Sequence, residues 1–176
     1  MGCGTGRLLT LLAAAGAVVL GVDSDPAMLS VAATRGRGRL VRADAQRLPL
    51  TDASVQAAVT VATLEFTADP ARVLAEMARV VGPGGRLAAA VLNPASLWGW
   101  ADRVRLRDPY RQGCFLPRAE LLRLGQRHGR AGVRGVLFAA EHLPARALVG
   151  PVLEAAGRAA PRLGAFQVLT VDVASA

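Results

Sequence analysis

The sequence contains no lysine and no isoleucine, and Asn93 is its one asparagine. All 21 basic residues are therefore arginines, and against 13 acidic residues they give a net charge of +8. A basic chain invites a nucleic-acid interpretation. The absence of lysine and isoleucine indicates instead the coding bias of a GC-rich genome. The arginines are spread along the chain, so we expect a solvated surface or a rim that attracts substrate, and no nucleic-acid partner.

Aromatic residues and cysteines are also scarce. Aromatics make up 4% of the chain, so the core must consist of Ala, Val and Leu. Cys3 and Cys114 lie far apart, which argues against a disulfide framework, and we expect no metal site. The apolar stretch from Leu8 to Val22 is short and interrupted by glycine, so a membrane span is not predicted. No signal-peptide pattern is present, and we expect a cytoplasmic protein.

Apolar runs and helical segments alternate along the chain. Strands are predicted at residues 17–23, 39–43, 55–64, 86–92, 133–140 and 166–173. Helices are predicted at residues 7–15, 26–35, 70–81, 94–107, 117–128 and 152–159. This alternation predicts an α/β fold with a doubly wound, mostly parallel sheet and helices on both faces. We find no linker or repeat, so residues 1–176 are predicted to form a single domain.

A glycine-rich loop opens the chain, with Gly2, Gly4 and Gly6 directly before the first helix. Glycines allow the backbone to approach a ligand closely, and the first N–H groups of a helix favour anionic groups. Asp23 and Asp44 follow the next two predicted strands, whose carboxyl ends share one edge of the sheet. Asp23 could accept both hydroxyls of a ribose, and Asp44 could accept from an exocyclic amine such as that of adenine. Together they predict a site for an adenine nucleoside.

Glu65 and Asn93 follow the next two predicted strands, and we expect them at the same crevice. The loop spacing separates two classes of adenine-containing cofactor. Dinucleotide loops carry glycine at the first, third and sixth positions. Here the glycines occupy the first, third and fifth positions, and Arg7 stands at the sixth. The spacing therefore speaks in part against a dinucleotide but does not exclude one, and S-adenosylmethionine is the other cofactor that carries this nucleoside.

Four segments in this order resemble the motifs of class I S-adenosylmethionine-dependent methyltransferases. They are Gly2–Gly6, Gly21–Ser24 with Met28 and Leu29, Ala43–Ala45 with Leu48 and Pro49, and Arg79–Leu87. The resemblance covers residues 1 to about 93. It implies a seven-stranded sheet of order 3-2-1-4-5-7-6 with the seventh strand antiparallel. It further implies a cofactor-binding half (1–93) and a half with the substrate side and the C-terminal strands (94–176).

The resemblance also implies functional residues and a reaction. The cofactor-binding residues would be Gly2, Cys3, Gly4, Gly6, Asp23, Ser24, Met28, Asp44, Ala45 and Leu64. The expected reaction is methyl transfer to a small-molecule acceptor by in-line attack on the sulfonium methyl group. Two alternatives stay open at this point: a non-catalytic methyltransferase-like remnant or interaction module, and a nicotinamide-dependent oxidoreductase.

A general base is needed only if the acceptor is protonated at working pH. The candidates are Glu65, His142 and Tyr110. We interpret His128 as a cation at a helix C-terminus, where the helix dipole favours it. Trp98 and Trp100 could wall a substrate pocket or pack a capping helix. Cys3 is expected to be a small packing residue, and Cys114 to be buried.

The strand that should precede the glycine loop is expected to be missing from this chain. It would lie at the centre of the sheet, and its loss would leave facing rows of backbone N–H and C=O groups, which are costly when buried and unpaired. Three outcomes are conceivable: the flanking strands close up, another chain fills the slot, or the natural protein is longer. The third is the expectation, because Met1 stands inside the motif.

Overall fold

The structure is a computed structural model, and it describes residues 1–36, 38–96, 113–136 and 164–174. The predicted helix at 152–159 and most of the one at 94–107 lie outside the described residues. The strands are β1 (Leu20–Asp23), β2 (Arg39–Arg42), β3 (Ala57–Val61), β4 (Arg86–Leu92), β5 (Gly129–Val136) and β6 (Phe166–Val173). The helices are α1 (Arg7–Ala14), α2 (Pro26–Thr34), α3 (Pro70–Val81) and α4 (Arg118–Gln126), with a short 3-10 helix at Leu64–Phe66.

Proline and aspartate set where α2 and α3 begin. Asp25 caps α2 by accepting a hydrogen bond from the backbone N–H of Ala27, and Asp69 caps α3 by accepting from that of Arg72. A proline follows each cap at the first helical position, where the missing N–H costs nothing. α3 ends at Gly82, whose φ of 71° is accessible to glycine. These signals explain why both helices start where the sequence predicts.

The described strands form a two-stranded sheet, β1-β2, and a four-stranded sheet of order β3-β4-β6-β5. β1 and β2 are parallel, β3 and β4 are parallel, and β6 is antiparallel to both β4 and β5. This order matches the predicted seven-stranded order with the place of the expected first strand left open between β1 and β3. The predicted α/β fold is confirmed, including its antiparallel strand.

The core is centred on the four-stranded sheet and α3. Apolar side chains of α3 are fully or almost fully buried in one cluster with those of β4 and β6; the cluster includes Val73, Leu74, Met77, Val80, Leu87, Val91, Leu169 and Val171. β1 contributes Val22 to this cluster, and no residue of β2 is buried. The two sheets therefore differ strongly in how much apolar surface they bury.

Several strand boundaries differ from the prediction: β1 begins at Leu20 rather than Ala17, β3 begins at Ala57 rather than Val55, and two further boundaries have a visible cause. β3 ends at Val61 rather than Leu64, because Ala62 takes a left-handed conformation (φ 49°) and the 3-10 helix follows. β5 begins at Gly129 rather than Val133, because its first residues pair with the end of β6, from Gly129 opposite Val173 onward. In both places the backbone conformation depends on partners that lie far away in the sequence.

Of the helices that the structure describes, none is long and apolar enough to cross a membrane.

Candidate functional site

The glycine loop packs tightly between β3 and α2. Gly2, Gly4 and Gly6 all adopt left-handed conformations, with φ of 60°, 51° and 79°. A Cβ atom on Gly2 would overlap the side chain of Thr63, and one on Gly6 would lie 3.0 Å from the Cβ of Ala32. Glycine is therefore required twice over at these two positions, for conformation and for space.

Asp23 ties the glycine loop to the carboxyl end of β1. Its Oδ2 accepts a hydrogen bond from the backbone N–H of Gly4 at 2.7 Å, and its Oδ1 accepts from that of Asp25 at 3.0 Å. The backbone N–H of Cys3 donates to the carbonyl of Val22 at 3.0 Å. A carboxylate oxygen has two lone pairs, so each oxygen of Asp23 can accept a further hydrogen bond from a ligand hydroxyl.

Asp44 lies beside this loop, just beyond β2. The backbone N–H of Ala43 donates to the carbonyl of Asp23 at 3.0 Å, which brings the ends of β1 and β2 together. The Asp44 side chain is exposed, and its Oδ1 accepts from the backbone N–H of Gln46 at 2.9 Å. The Nε2 of Gln46 also donates to Oδ1 and Oδ2 at 3.4 Å each, and because each carboxylate oxygen has two lone pairs, the exposed side chain can accept a further hydrogen bond from a ligand. Asp23 and Asp44 thus present two acceptors on adjacent strand ends.

These elements enclose a crevice of about 470 Å³. It is lined by the glycine loop and by the residues that follow β1, β2 and β3, and its volume suits a ligand of nucleoside size. Six of the predicted cofactor-binding residues line it: Gly2, Gly4, Asp23, Ser24, Asp44 and Ala45. The structure therefore brings most of the predicted cofactor site together in one place.

The other four predicted cofactor residues lie outside the crevice lining. Gly6 packs against Ala32 of α2, and Met28 lies 40% exposed on α2. Leu64 is fully buried in the core. Cys3 lines a neighbouring cavity, and burial, followed by the charge of Asp23, raises the pKa of its thiol. The thiol therefore stays protonated, which fits the predicted packing role. Cys114, in contrast, is exposed, so the expectation that it is buried was wrong.

The turn after β3 supplies crevice residues that the sequence analysis missed. Ala62, Thr63, Phe66, Thr67 and Ala68 line the crevice there, and Gln46 lines it after β2. Phe66 is 44% exposed and is the one aromatic side chain among the described residues that line the crevice. The predicted strand continued to Leu64, which hid this turn. The sequence marks this turn by two polar residues, Thr63 and Thr67, on either side of the Leu64–Phe66 segment.

Glu65 and Asn93 do not line the crevice, contrary to the expectation that they converge there. Glu65 is 2% exposed, and its Oε1 accepts from the backbone N–H of Leu92 at 3.0 Å. Burial raises the pKa of its carboxyl group. Asn93 is 3% exposed and donates to the carbonyl of Gly164 at 2.7 Å. Both side chains instead fasten the end of β4 to neighbouring segments, because buried polar groups need partners.

The remaining predicted candidates fall into two groups. Tyr110, His142, Trp98 and Trp100 lie outside the described residues. His128 lies in the turn after α4, where burial and then the charge of Arg127 lower the pKa of its imidazole. This shift opposes the cationic form that we expected for it. In the described part of the chain, no group of three or more His, Cys, Asp or Glu residues could hold a metal ion.

The comparisons with known proteins bear on this crevice. The profile of a family described as "Methyltransferase domain" matches residues 1–89. An uncharacterised methyltransferase of Mycobacterium tuberculosis is 38% identical over 123 residues, which is 66% of this chain and 50% of the relative. A demethylmenaquinone methyltransferase of Thermus thermophilus is 36% identical over 98 residues, which is 52% of this chain and 44% of the relative. The chain thus spans about half the length, or less, of these curated relatives.

A solved structure extends the similarity to the fold. A methyltransferase of Thermotoga maritima, described as S-adenosylmethionine-dependent and a possible histamine N-methyltransferase, superposes with a TM-score of 0.78 at 25% identity. The match covers 98% of this chain and 79% of that protein. The family match includes the glycine loop and β1 to β3, and the structural match extends over 98% of the chain.

Proposed function

The chain belongs to the family of S-adenosylmethionine-dependent methyltransferases, and we propose that it transfers a methyl group from S-adenosylmethionine to a small-molecule acceptor. The predicted family is confirmed, and with it S-adenosylmethionine as the cofactor of that family. One observation carries the proposal: the glycine loop, Asp23 and Asp44 meet at one crevice. Neither the remnant nor the nicotinamide alternative gains support from the comparisons.

The crevice residues fit the cofactor in chemical character. Asp23 and Asp44 offer carboxylate oxygens for the ribose hydroxyls and the adenine amine, and Ala45 leaves room beside Asp44. Gly2 and Gly4 would lie along the methionine portion; a Cβ on Gly2 would overlap Thr63, and Gly4 needs glycine for its left-handed φ of 51°. S-adenosylmethionine supplies a methyl group that is already activated by its sulfonium. The protein therefore contributes binding, orientation and exclusion of water.

The acceptor is proposed to be a small molecule. The similar proteins include a demethylmenaquinone methyltransferase and a possible histamine N-methyltransferase. The acceptors in both names, demethylmenaquinone and histamine, are small molecules. We propose that residues 94–176 form the acceptor side of a single domain. The cytoplasmic location expected from the sequence stays a prediction. Of the base candidates, Glu65 is buried away from the crevice, so we propose that it holds the turn before Phe66 in position.

Titration calorimetry with S-adenosylhomocysteine tests the proposal. We expect saturable binding at one site and losses of about ten- to a hundredfold in affinity for Asp23→Asn and for Asp44→Asn, because each removes a charged acceptor worth about 1.5–3 kcal/mol. Asp172→Asn is the matched control, since Asp172 pairs with Arg86 at the start of β4, at the opposite end of that strand from the crevice. No binding, or equal affinity in all three variants, would contradict the proposal.

A further inference from the structure

The charged side chains of the nucleoside crevice belong to the strand ends of β1 and β2. Among the described residues that line the crevice, Asp23 and Asp44 carry the formal charges, and none is an arginine. Under the proposed function, Asp23 binds the ribose and Asp44 binds the adenine amine. The sulfonium end of S-adenosylmethionine is then left to the glycine loop and to the turn after β3, residues 62–68.

The turn after β3 presents no carboxylate to the crevice. Glu65 is its one acidic residue, but it is 2% exposed, and its Oε1 accepts from a backbone N–H of β4. Thr63 and Thr67 line the crevice, and their hydroxyl protons are donated to backbone carbonyls at 3.1 and 2.9 Å. A hydroxyl oxygen carries a partial charge only. The remaining group of negative potential in this turn is the ring face of Phe66.

Phe66 is not used by the core. Its side chain is 44% exposed, and it belongs neither to the buried apolar cluster nor to the partly buried apolar residues that pack against that cluster. The Cε1 atom of its ring lies 3.4 Å from the point that a Cβ atom on Gly113 would occupy, so one edge of the ring rests beside the Gly113 backbone. A ring that lines a crevice without packing in the core is available to a ligand.

The backbone around Phe66 is fixed by hydrogen bonds. The N–H of Phe66 donates to the carbonyl of Thr63 at 3.0 Å. The preceding residue, Glu65, is anchored twice: its carbonyl accepts from the N–H of Cys114 at 2.7 Å, and its side chain accepts from that of Leu92 at 3.0 Å. The place of the ring is therefore set before a ligand binds, which reduces the ordering cost of binding.

We propose that the ring of Phe66 recognises the positive charge of the sulfonium, so that the protein distinguishes S-adenosylmethionine from S-adenosylhomocysteine. An aromatic face attracts a cation that lies within about 6 Å of the ring centre. The two ligands differ only in the methyl group and in the charge on sulfur. This inference rests on the proposed function and names the residue that reads the charge of the methyl donor.

The charge that Phe66 reads disappears in the reaction. A lone pair of the acceptor forms the new bond to the methyl carbon, and the electron pair of the broken S–C bond stays on sulfur. Sulfur thereby changes from a sulfonium to a neutral thioether. The attraction to the ring is lost with the methyl group, so Phe66 favours the methyl donor over the product that must leave.

Titration calorimetry with both ligands tests this inference. The measured quantity is the Kd of S-adenosylhomocysteine divided by the Kd of S-adenosylmethionine. Phe66→Leu keeps an apolar side chain without a ring, and we expect this ratio to fall by about threefold to tenfold. Phe66→Trp keeps an aromatic face and should keep or raise the ratio. A purely structural role of Phe66 would change both affinities together and leave the ratio constant.

Gln46→Leu is the matched control. Gln46 lines the crevice after β2, and its amide contacts the carboxylate of Asp44 rather than the turn after β3. We expect this variant to change both affinities by the same factor. All three variants retain the carboxylates of Asp23 and Asp44, so the long-range attraction of the crevice for a cation stays the same in each.

Three results would overturn the inference: an unchanged ratio in Phe66→Leu, an equal fall of the ratio in Phe66→Trp, or an equal fall in Gln46→Leu. In each of these cases S-adenosylhomocysteine still binds, and the proposed function stands. A parent protein that binds neither ligand would overturn the proposed function, and this inference with it. The two failures are therefore distinguishable.

Discussion

Gly2 combines a left-handed backbone conformation with a position directly against Thr63. Its φ is 60°, and a Cβ atom would overlap both the Oγ1 and the Cγ2 of Thr63. The Thr63 hydroxyl donates to the carbonyl of Val61 at 3.1 Å, so this side chain is not free to turn away without losing a hydrogen bond. The crevice wall at this point therefore requires glycine at position 2, because the methyl group of an alanine there would overlap Thr63.

Gly2→Ala should weaken S-adenosylhomocysteine binding by at least about tenfold and lower the free energy of unfolding by about 1–3 kcal/mol, because it adds conformational strain to an overpacked contact. Calorimetric titration and urea unfolding measure the two effects. Gly16→Ala is the control: Gly16 has φ 89°, but its Cβ would meet no atom within 4 Å. It should cost stability alone. Equal affinity in both variants would show that the Thr63 contact does not shape the site.

Residue type and spacing were enough to predict the acidic and glycine half of the crevice. Asp23 and Asp44 follow strands, and the loop glycines have a spacing that only a few site types share. Thr63 and Phe66 were not predictable in the same way. Their place in the crevice depends on the end of β3 at Val61, and that end is set by the conformation of Ala62. Apolar sequence alone does not mark such a boundary.

An ion pair between the buried Glu76 and the partly exposed Arg79 fastens α3 to the loop between β2 and β3. The guanidinium of Arg79 donates to both carboxylate oxygens of Glu76, at 2.8 Å each, and to the carbonyl of Leu50 at 2.8 Å. Glu76 in turn accepts from the backbone N–H of Leu48 at 2.9 Å. Hydrogen bonding to Arg79 lowers the pKa of Glu76 to about 2. This network holds the loop that leads from Asp44 back to the core.

Glu76→Gln should lower the free energy of unfolding by about 1–2 kcal/mol at pH 7, because it removes the charged partner of Arg79 while solvent at Arg79 screens part of the attraction. The folded-state pKa of Glu76 lies below its unfolded value of 4.5, so the ion-pair contribution is complete above pH 4.5 and is lost as pH falls toward 2. The difference between variant and parent should shrink over that range. Urea unfolding at several pH values measures it.

The exposed pair of Glu120 and Arg123 supplies the control for that experiment. It has the same spacing on α4, with a contact of 2.6 Å, but both side chains are more than a third exposed. Glu120→Gln should change stability less than Glu76→Gln does, since solvent screens such pairs. Equal losses in the two variants, or a Glu76→Gln loss that does not change between pH 7 and pH 2, would contradict the assigned role of the Glu76–Arg79 pair.

Helices were easier to predict than strands in this chain. Asp25, Pro26, Asp69 and Pro70 mark the two helix starts through local hydrogen bonds and fixed φ angles, so the signal lies within a few residues. β5 has no such local signal. Its first residues include Gly129 and Gly132, a composition typical of a loop, and they are extended because they pair with β6. Pairing between distant segments overrides local preference.

The whole molecule is uneven in stability, because its two sheets share little core. β4 buries Leu87, Ala89 and Val91, whereas β2 buries no residue and β1 buries Gly21 and Val22. In the described structure, β1 and β3 each have one edge without a strand partner. Regions with few buried apolar contacts open at lower free energy than the rest of a protein. We therefore expect the β1–β2 unit to open before the four-stranded sheet.

Native-state hydrogen exchange in low urea tests this order of opening. Amides of β1 and β2 should exchange through openings several kcal/mol below the global free energy of unfolding, with little dependence on urea. Amides of β4 and β6 should exchange through global unfolding, with a steep dependence on urea, because they lie at the centre of the core. A single exchange curve shared by all four strands would contradict this order.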